Sequence, residues 1–256
     1  MLTQKMVKEL LLIKANTSTQ ENLEALQEST ELFSRTLAGL KKGDQEMGLV
    51  RYDSPRVRRQ IARVERLWQE FRTDIDRVLA TGKVTDKQVD TIVSLNMPLL
   101  KASNKLVVQY EKSSQTERSG SFSNATAINL AGRQRMLTQK MSKEFLLIFL
   151  NKDTEHNTLN LLETSTLFQQ TLDGLLNGHE ILGLAAVVDQ PQREQLQRVL
   201  NAWNQMQAVI EPIFLGDISQ SHLKVTQEQL EAVASLNLPL LREMNAAVQL
   251  FEQSNT

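Results

Sequence analysis

Hydrophobic residues recur three and four positions apart along most of the chain, which is the spacing of an α-helix that buries one face. Glycine and proline are scarce, and they stand mostly between these segments. The pattern therefore predicts an all-α protein. Helix starts are indicated where Ser or Thr precedes Glu or Gln by three positions, at Ser18, Thr85 and Thr226, and helix ends are indicated at Gly43 and Gly82.

The chain contains an internal repeat, which sets the predicted number of domains. Residues 1–13 match residues 136–148 at 11 of 13 positions, and residues 94–100 match residues 235–241 at 6 of 7. Because a chain of 256 residues is long enough to form two modest cores, we expect two tandem antiparallel four-helix bundles.

A polar stretch of small residues at 115–123 separates the two copies and is the predicted interdomain joint. We place the boundary near Gly120, so that the predicted domains are residues 1–118 and residues 119–256. Two connections are compatible with this stretch. One is a loop, and the other is a kinked helix that continues from the first unit into the second.

Charge and composition exclude several kinds of partner and chemistry. The chain carries 29 basic and 30 acidic residues, so it lacks the basic excess of a nucleic-acid binder. Cysteine is absent and the three histidines are scattered, so we expect neither a metal site nor a cofactor. The sequence contains no glycine-rich phosphate loop and no serine-nucleophile signature, so we do not expect an enzyme. It also lacks an apolar run of about 18 residues, and we expect any membrane anchor to lie outside it.

The most distinctive stretch reads Ala-Gly-Arg-Gln-Arg-Met-Leu-Thr-Gln-Lys-Met, at residues 131–141, within a helix predicted over about 123–150. Four cations precede the first acidic residue of this helix, and one helix face carries mainly small and hydroxyl residues around a single arginine. The cations are Arg133, Arg135, Lys140 and Lys143, and the face comprises Ile128, Ala131, Arg135, Thr138 and Ser142.

This composition suggests a small anion as the ligand. Small residues let a second helix approach closely, and a guanidinium offers a planar fork that suits a trigonal anion or a carboxylate. One arginine buried alone is costly, whereas two facing arginines that share an anion are neutralised by it. The alternative for Arg135 is a surface cation or a salt bridge to a neighbouring helix.

The stretch at 131–141 closely resembles the signature of PilJ-type sensor domains, the ligand-binding regions of bacterial type IV pilus chemoreceptors. It is similar, more distantly, to the nitrate-binding first helix of NarX-type sensor kinases. The resemblance implies a periplasmic four-helix bundle that binds nitrate or nitrite between two symmetry-related first helices, each of which contributes one arginine. It also implies a homodimer and a membrane-anchored signalling region as partners.

Carried over to this sequence, the resemblance makes Arg135 the main anion ligand. Gly132 would permit close approach of the backbone, and Lys140 replaces a second arginine that is often found in the family. The residues expected to line or support the site are Arg133, Met136, Thr138 and Gln139.

The first copy of the repeat departs from this pattern, because it begins at Met1, the equivalent of Met136. The counterparts of Gly132, Arg133 and Arg135 would precede it. Three explanations are open: the sequence has been shortened there, the second unit binds the anion alone, or Arg135 meets its own copy across a homodimer.

We therefore expect an extracytoplasmic module that senses a small anion and relays the signal to a membrane transducer. A protein-interaction module that binds pilin or another partner is the alternative from a different class, with the 131–141 motif serving only to pair helices. A third hypothesis is a freestanding periplasmic protein that presents the anion to a separate receptor.

Overall fold

The computed structural model describes residues 1–114, 122–215 and 225–253, and in these ranges the regular structure is helical apart from two isolated β-bridges. The predicted all-α class is confirmed. The predicted boundary near Gly120, and the choice between a loop and a kinked helix there, lie outside the described residues. The helices are α1 (Leu2–Lys14), α2 (Thr19–Lys42), α3 (Pro55–Thr81), α4 (Asp86–Ser114), α5 (Phe122–Phe149), α6 (Thr154–Asn177), α7 (Gln190–Leu215) and α8 (Gln227–Gln253).

The helices form two compact units, one built from α1 to α4 and the other from α5 to α8. In each unit every helix packs against the next along the chain, and the fourth packs against the first. Connections of four residues, such as 15–18 and 82–85, reverse the chain, so that neighbouring helices are antiparallel. Each unit is therefore an antiparallel four-helix bundle.

Aromatic pairs occupy equivalent places in the two cores. The ring centroids of Phe33 and Trp68 lie 4.4 Å apart in the first bundle, and those of Phe168 and Trp203 lie 4.7 Å apart in the second. Both indoles are buried, so the tryptophans serve as core residues. Their partners in the core are mostly aliphatic, including Leu10, Phe71, Ile75, Ile92 and Leu99 in the first bundle and Met141, Phe145, Leu172, Leu196 and Leu240 in the second.

Two of the three predicted capping boxes are confirmed. The backbone N–H of Gln88 donates to Thr85 Oγ1 at 3.2 Å, and the N–H of Thr85 donates to Gln88 Oε1 at 2.8 Å. Thr226 and Gln229 exchange the same two hydrogen bonds, at 2.9 and 3.2 Å. The predicted helix ends at Gly43 and Gly82 are also present. These signals are local, so they can be read from the sequence directly.

The predicted capping box at Ser18 is wrong. Ser18 has a left-handed backbone with φ of 42°, and its side chain makes no capping hydrogen bond. The side chain of Asn22 stabilises this turn instead, by donating to the carbonyls of Thr17 and Ser18 at 3.0 and 3.1 Å. The second bundle repeats the arrangement with Asn157, which donates to the carbonyls of Lys152 and Asp153.

The loop between the second and third helix of each bundle is folded back by a single β-bridge, between Asp44 and Leu49 in one unit and between His179 and Leu184 in the other. The loop leaves its helix through a glycine with positive φ, which is 82° at Gly178. A Cβ atom at Gly178 would lie 2.9 Å from the backbone nitrogen of Ala186, so this position excludes larger residues for two reasons.

Gly178→Ala should lower the free energy of unfolding by roughly 2 kcal/mol or more, because it combines left-handed strain with a backbone clash. Gly183 is the matched control, because it also has positive φ, of 65°, but a Cβ there meets nothing within 4 Å. We expect Gly183→Ala to cost about 1 kcal/mol. Urea unfolding followed by circular dichroism measures both, and equal losses would contradict the packing described for this loop.

Candidate functional site

Arg135 lies half-buried on α5, with its Nε atom buried and not hydrogen-bonded to any described residue. Burial lowers the pKa of the guanidinium, and the carboxylate of Glu252 on α8 offsets part of that decrease. A guanidinium stays charged at neutral pH even so. The site therefore holds a partly desolvated cation with one donor unused.

Three other predicted residues lie within one turn of Arg135 on α5. A Cβ atom at Gly132 would lie 3.5 Å from Arg135 Nη2, which shows that the guanidinium folds back over this glycine. Arg133 is exposed, and Met136 is half-buried. Gly132 thus leaves room for the charged group, and side chains larger than alanine at this position would press on it.

Thr138 and Gln139 lie deeper, in a buried polar layer that connects α5 with α8. Gln139 Nε2 donates to Asn237 Oδ1 at 3.0 Å, and Asn237 Nδ2 donates to Ser142 Oγ at 2.7 Å and to the carbonyl of Thr138 at 3.3 Å. The Thr138 hydroxyl donates to the carbonyl of Gln134 within the same helix. The structure therefore brings Thr138 and Gln139 together with Asn237, and their side-chain donors are already engaged.

The same layer appears in the first bundle, which has no counterpart of Arg135 in this chain. Gln4 Nε2 donates to Asn96 Oδ1 at 2.9 Å, and Asn96 Nδ2 donates to the carbonyl of Thr3 at 2.8 Å. The amide pair is thus a property of the bundle itself. Sequence reasoning missed the asparagines, although both lie in the repeated segment at 94–100 and 235–241.

A second repeated layer joins the first two helices of each bundle. Lys140 pairs with Glu144 and donates to Thr164 Oγ1 on α6 at 2.5 Å. In the first bundle, Lys5 pairs with Glu9 and donates to Ser29 Oγ on α2 at 2.7 Å. Burial raises the pKa of the Glu9 carboxyl, and its lysine partner offsets part of the increase. Lys140 therefore has a structural role, which is to join α5 to α6.

The four cations that precede Glu144 thus have different surroundings. Lys143 is only 6% exposed, and burial lowers its pKa to about 8. Lys140 is paired with Glu144, and Arg133 is exposed to solvent. Arg135 is the member of this group that combines partial burial with an unpaired donor.

Two other kinds of feature bear on the function of the described part of the chain: metal-binding clusters and membrane-spanning helices. Across the described ranges, no group of three His, Cys, Asp or Glu side chains is arranged to hold a metal ion. The same ranges contain no helix with an apolar stretch long enough to cross a bilayer.

Asn237→Ala should lower the free energy of unfolding of the second bundle by about 3 kcal/mol, because it removes a buried side chain and leaves the buried Gln139 Nε2 group without its acceptor. Ser235→Ala is the control, because this exposed serine lies one half-turn away on the same helix and its loss should cost under about 0.5 kcal/mol. Urea titration monitored by Trp203 fluorescence, with Trp68 replaced by Phe in every sample, measures both variants. Similar midpoints for the two would show that the amide pair does not hold α5 to α8.

Comparison with known proteins identifies the family. Searches of curated proteins and of solved structures find no match for this chain. The family model described as type IV pili methyl-accepting chemotaxis transducer N-term, or PilJ, matches residues 1–92 and again residues 119–235. These two segments cover most of the chain, one in each bundle, and the more distant resemblance to NarX-type kinases stays a prediction. The chain therefore belongs to the PilJ family and comprises tandem copies of the N-terminal sensing domain of type IV pilus chemotaxis transducers.

Proposed function

We propose that the chain is a periplasmic, non-enzymatic sensing module that binds nitrate or nitrite at Arg135 and signals to a membrane-anchored transducer region. The observation that carries the proposal is the half-buried guanidinium of Arg135, whose Nε atom is buried and unpaired among the described residues. A buried donor without an acceptor costs free energy, and a bound anion removes that cost.

The shape and charge of nitrate suit this donor. Nitrate is planar, carries one negative charge and presents pairs of oxygen atoms to the parallel N–H groups of a guanidinium. Such a contact is a charge-assisted pair of hydrogen bonds, stronger than contacts between neutral groups. A homodimer would supply a second Arg135 to the same anion, and this arrangement would spread the charge over two cations.

The residues around Arg135 have distinct parts in this proposal. Gly132 gives the guanidinium its room, Met136 supplies an apolar wall, and the exposed Arg133 attracts anions from a distance. Thr138 and Gln139 support the site indirectly, because their bonds to Asn237 hold α5 in register with α8. The site thus consists of Arg135, which binds the anion, and of neighbouring residues that position Arg135.

The hydrogen bonds between α5 and α8 also provide a route for the signal. Because Gln139 on α5 is hydrogen-bonded to Asn237 on α8, a shift of α5 on binding would displace α8 as well. Displacements of about 1–2 Å are typical of helices that transmit such changes. The ligand drives the shift only if it binds one arrangement of the helices more tightly than the other.

Isothermal titration with sodium nitrate and sodium nitrite tests the proposal. We expect wild-type protein to bind and Arg135→Ala to lose at least about tenfold in affinity, since one charge-assisted contact is worth that much. Arg242→Ala is the control, because it removes an exposed arginine from the same bundle and should leave the affinity unchanged. Absence of binding by wild-type protein, or equal losses in both variants, would reject the proposal.

A protein-interaction module is the second candidate, and one observation favours it. Thr3 and Gln4 repeat the contacts of Thr138 and Gln139 in a bundle without an Arg135 counterpart, so part of the motif is explained by helix packing alone. In this alternative the motif pairs helices, and an exposed surface binds pilin or another protein partner.

Analytical ultracentrifugation separates the two candidates. The interaction candidate predicts that Arg135→Ala weakens dimerisation to the same extent with and without nitrate. The anion-sensing proposal predicts that nitrate strengthens dimerisation of the wild-type protein and leaves Arg135→Ala unaffected. Wild-type dimerisation that is independent of nitrate would favour the interaction candidate.

A further inference from the structure

A basic cleft lies on the first bundle, along the seam between the beginning of α3 and the end of α4. Its volume is about 450 Å³. Three of the six side chains that line it are cationic, and two of the others are amides. The lining residues are Arg56 on α3 and Asn104, Lys105, Val108, Gln109 and Lys112 on α4.

Helical spacing concentrates positive charge around the cleft. Lys101, Lys105 and Lys112 recur at intervals of four and seven, so they lie on one face of α4. On α3, the exposed residues Arg56, Arg59 and Arg63 are three and four positions apart, so they also lie on one helix face. Gln60 Nε2 donates to the carbonyl of Ala102 at 2.8 Å, and this bond fixes the two helices side by side at the cleft.

Two of the three cations that line the cleft differ in ion pairing from most other arginines of this bundle. Five arginines elsewhere in this bundle have acidic partners, whereas Arg56 and Lys105 form no ion pair within the described part of the chain. The chain as a whole has a net charge of −1, so the local excess does not follow from its composition. The paired arginines are Arg35, Arg51, Arg58, Arg72 and Arg77.

The second bundle shows that the fold does not need these cations. Gln195, the counterpart of Gln60, donates to the carbonyl of Glu243 at 2.9 Å and holds α7 beside α8 in the same way. The positions equivalent to the three cleft cations carry none. They are occupied by Pro191, Ala246 and Gln253. The cleft charges therefore belong to the first bundle alone and serve something other than helix packing.

We propose that this cleft binds an organic phosphate, separately from the anion site at Arg135. The unpaired charges of Arg56 and Lys105 favour an anion with two charges, and phosphate oxygens are suited both to the fork of Arg56 and to the ammonium group of Lys105, with Lys112 beside them. The volume exceeds the needs of a single small inorganic anion and falls in the range of small-molecule sites. Val108 is 47% exposed and offers an apolar contact to the organic part.

Two sources share this chemistry: a free phosphate ester, and the headgroup of an anionic phospholipid. Titration calorimetry with glycerol 3-phosphate tests the first, and co-sedimentation with vesicles of phosphatidylglycerol against vesicles of phosphatidylcholine tests the second. Both experiments use the 256-residue chain at low ionic strength, because contacts with exposed cations are screened by salt.

Arg56→Ala and Lys105→Ala should each weaken binding about tenfold, since each removes a charge-assisted contact with the phosphate. Lys87→Ala is the control, because it removes the same charge from the opposite end of α4. It should bind as the wild type does, and so should Arg135→Ala. All these side chains are exposed or half-buried, so the variants should retain the helical circular dichroism spectrum.

Binding in either experiment that is lost in the two cleft variants supports the proposal, and the experiment that responds identifies the source. The proposal is overturned if wild-type protein binds neither glycerol 3-phosphate nor phosphatidylglycerol. It is also overturned if Lys87→Ala weakens binding as much as Lys105→Ala, since the attraction would then depend on general charge rather than on the cleft.

Discussion

The buried amide pair between the first and fourth helix of each bundle is the constraint on which the rest of the structure depends. Gln139 and Asn237 are withdrawn from water, so each must find its hydrogen bonds inside the protein. The observed register of α5 against α8 joins Gln139 Nε2 to Asn237 Oδ1 and Asn237 Nδ2 to Ser142 Oγ. That register also fixes the position of Arg135, which lies one turn before Gln139 on α5. The hydrogen bond between Gln139 and Asn237 therefore helps to position the arginine that we propose binds the anion.

The two bundles are a comparison that the protein itself provides. They share the helix order, the amide pair, the Lys–Glu layer and the asparagine that stabilises the first turn. They differ in exposed or partly exposed charge: the second bundle carries Arg135, and the first carries the basic cleft at Arg56 and Lys105. The contacts that both bundles share build the fold. Functional differences between the bundles are expected at the charges that they do not share.

Much of the fold could be predicted from the sequence, because its signals are local. Helical spacing, the capping boxes at Thr85 and Thr226 and the glycine at Gly82 each depend on a few neighbouring residues. Ser18 misled the same reasoning, because its left-handed backbone belongs to a tight turn that a side chain four residues later stabilises. Local rules do not contain that contact.

The candidate site was harder to predict, because the role of each polar residue depends on partners distant in sequence. The pattern placed Arg135, Thr138 and Gln139 on neighbouring faces of one helix, but it did not indicate that Asn237, 98 positions after Gln139, binds the amide. It also counted Lys140 and Lys143 as available cations, whereas one is paired with Glu144 and the other is buried. Only Arg135 kept the combination of charge, burial and an unused donor.

The most direct test of the account is to observe the Arg135 Nε–H group by nuclear magnetic resonance while nitrate is added. A protein labelled with ¹⁵N-arginine, with Arg135→Lys used to assign the signal, allows nitrate to be compared with chloride at equal ionic strength. The account predicts that nitrate shifts the Arg135 signal and slows its exchange with water, while chloride and the other arginine signals show little change. An Arg135 signal that exchanges rapidly and responds alike to both anions would contradict it.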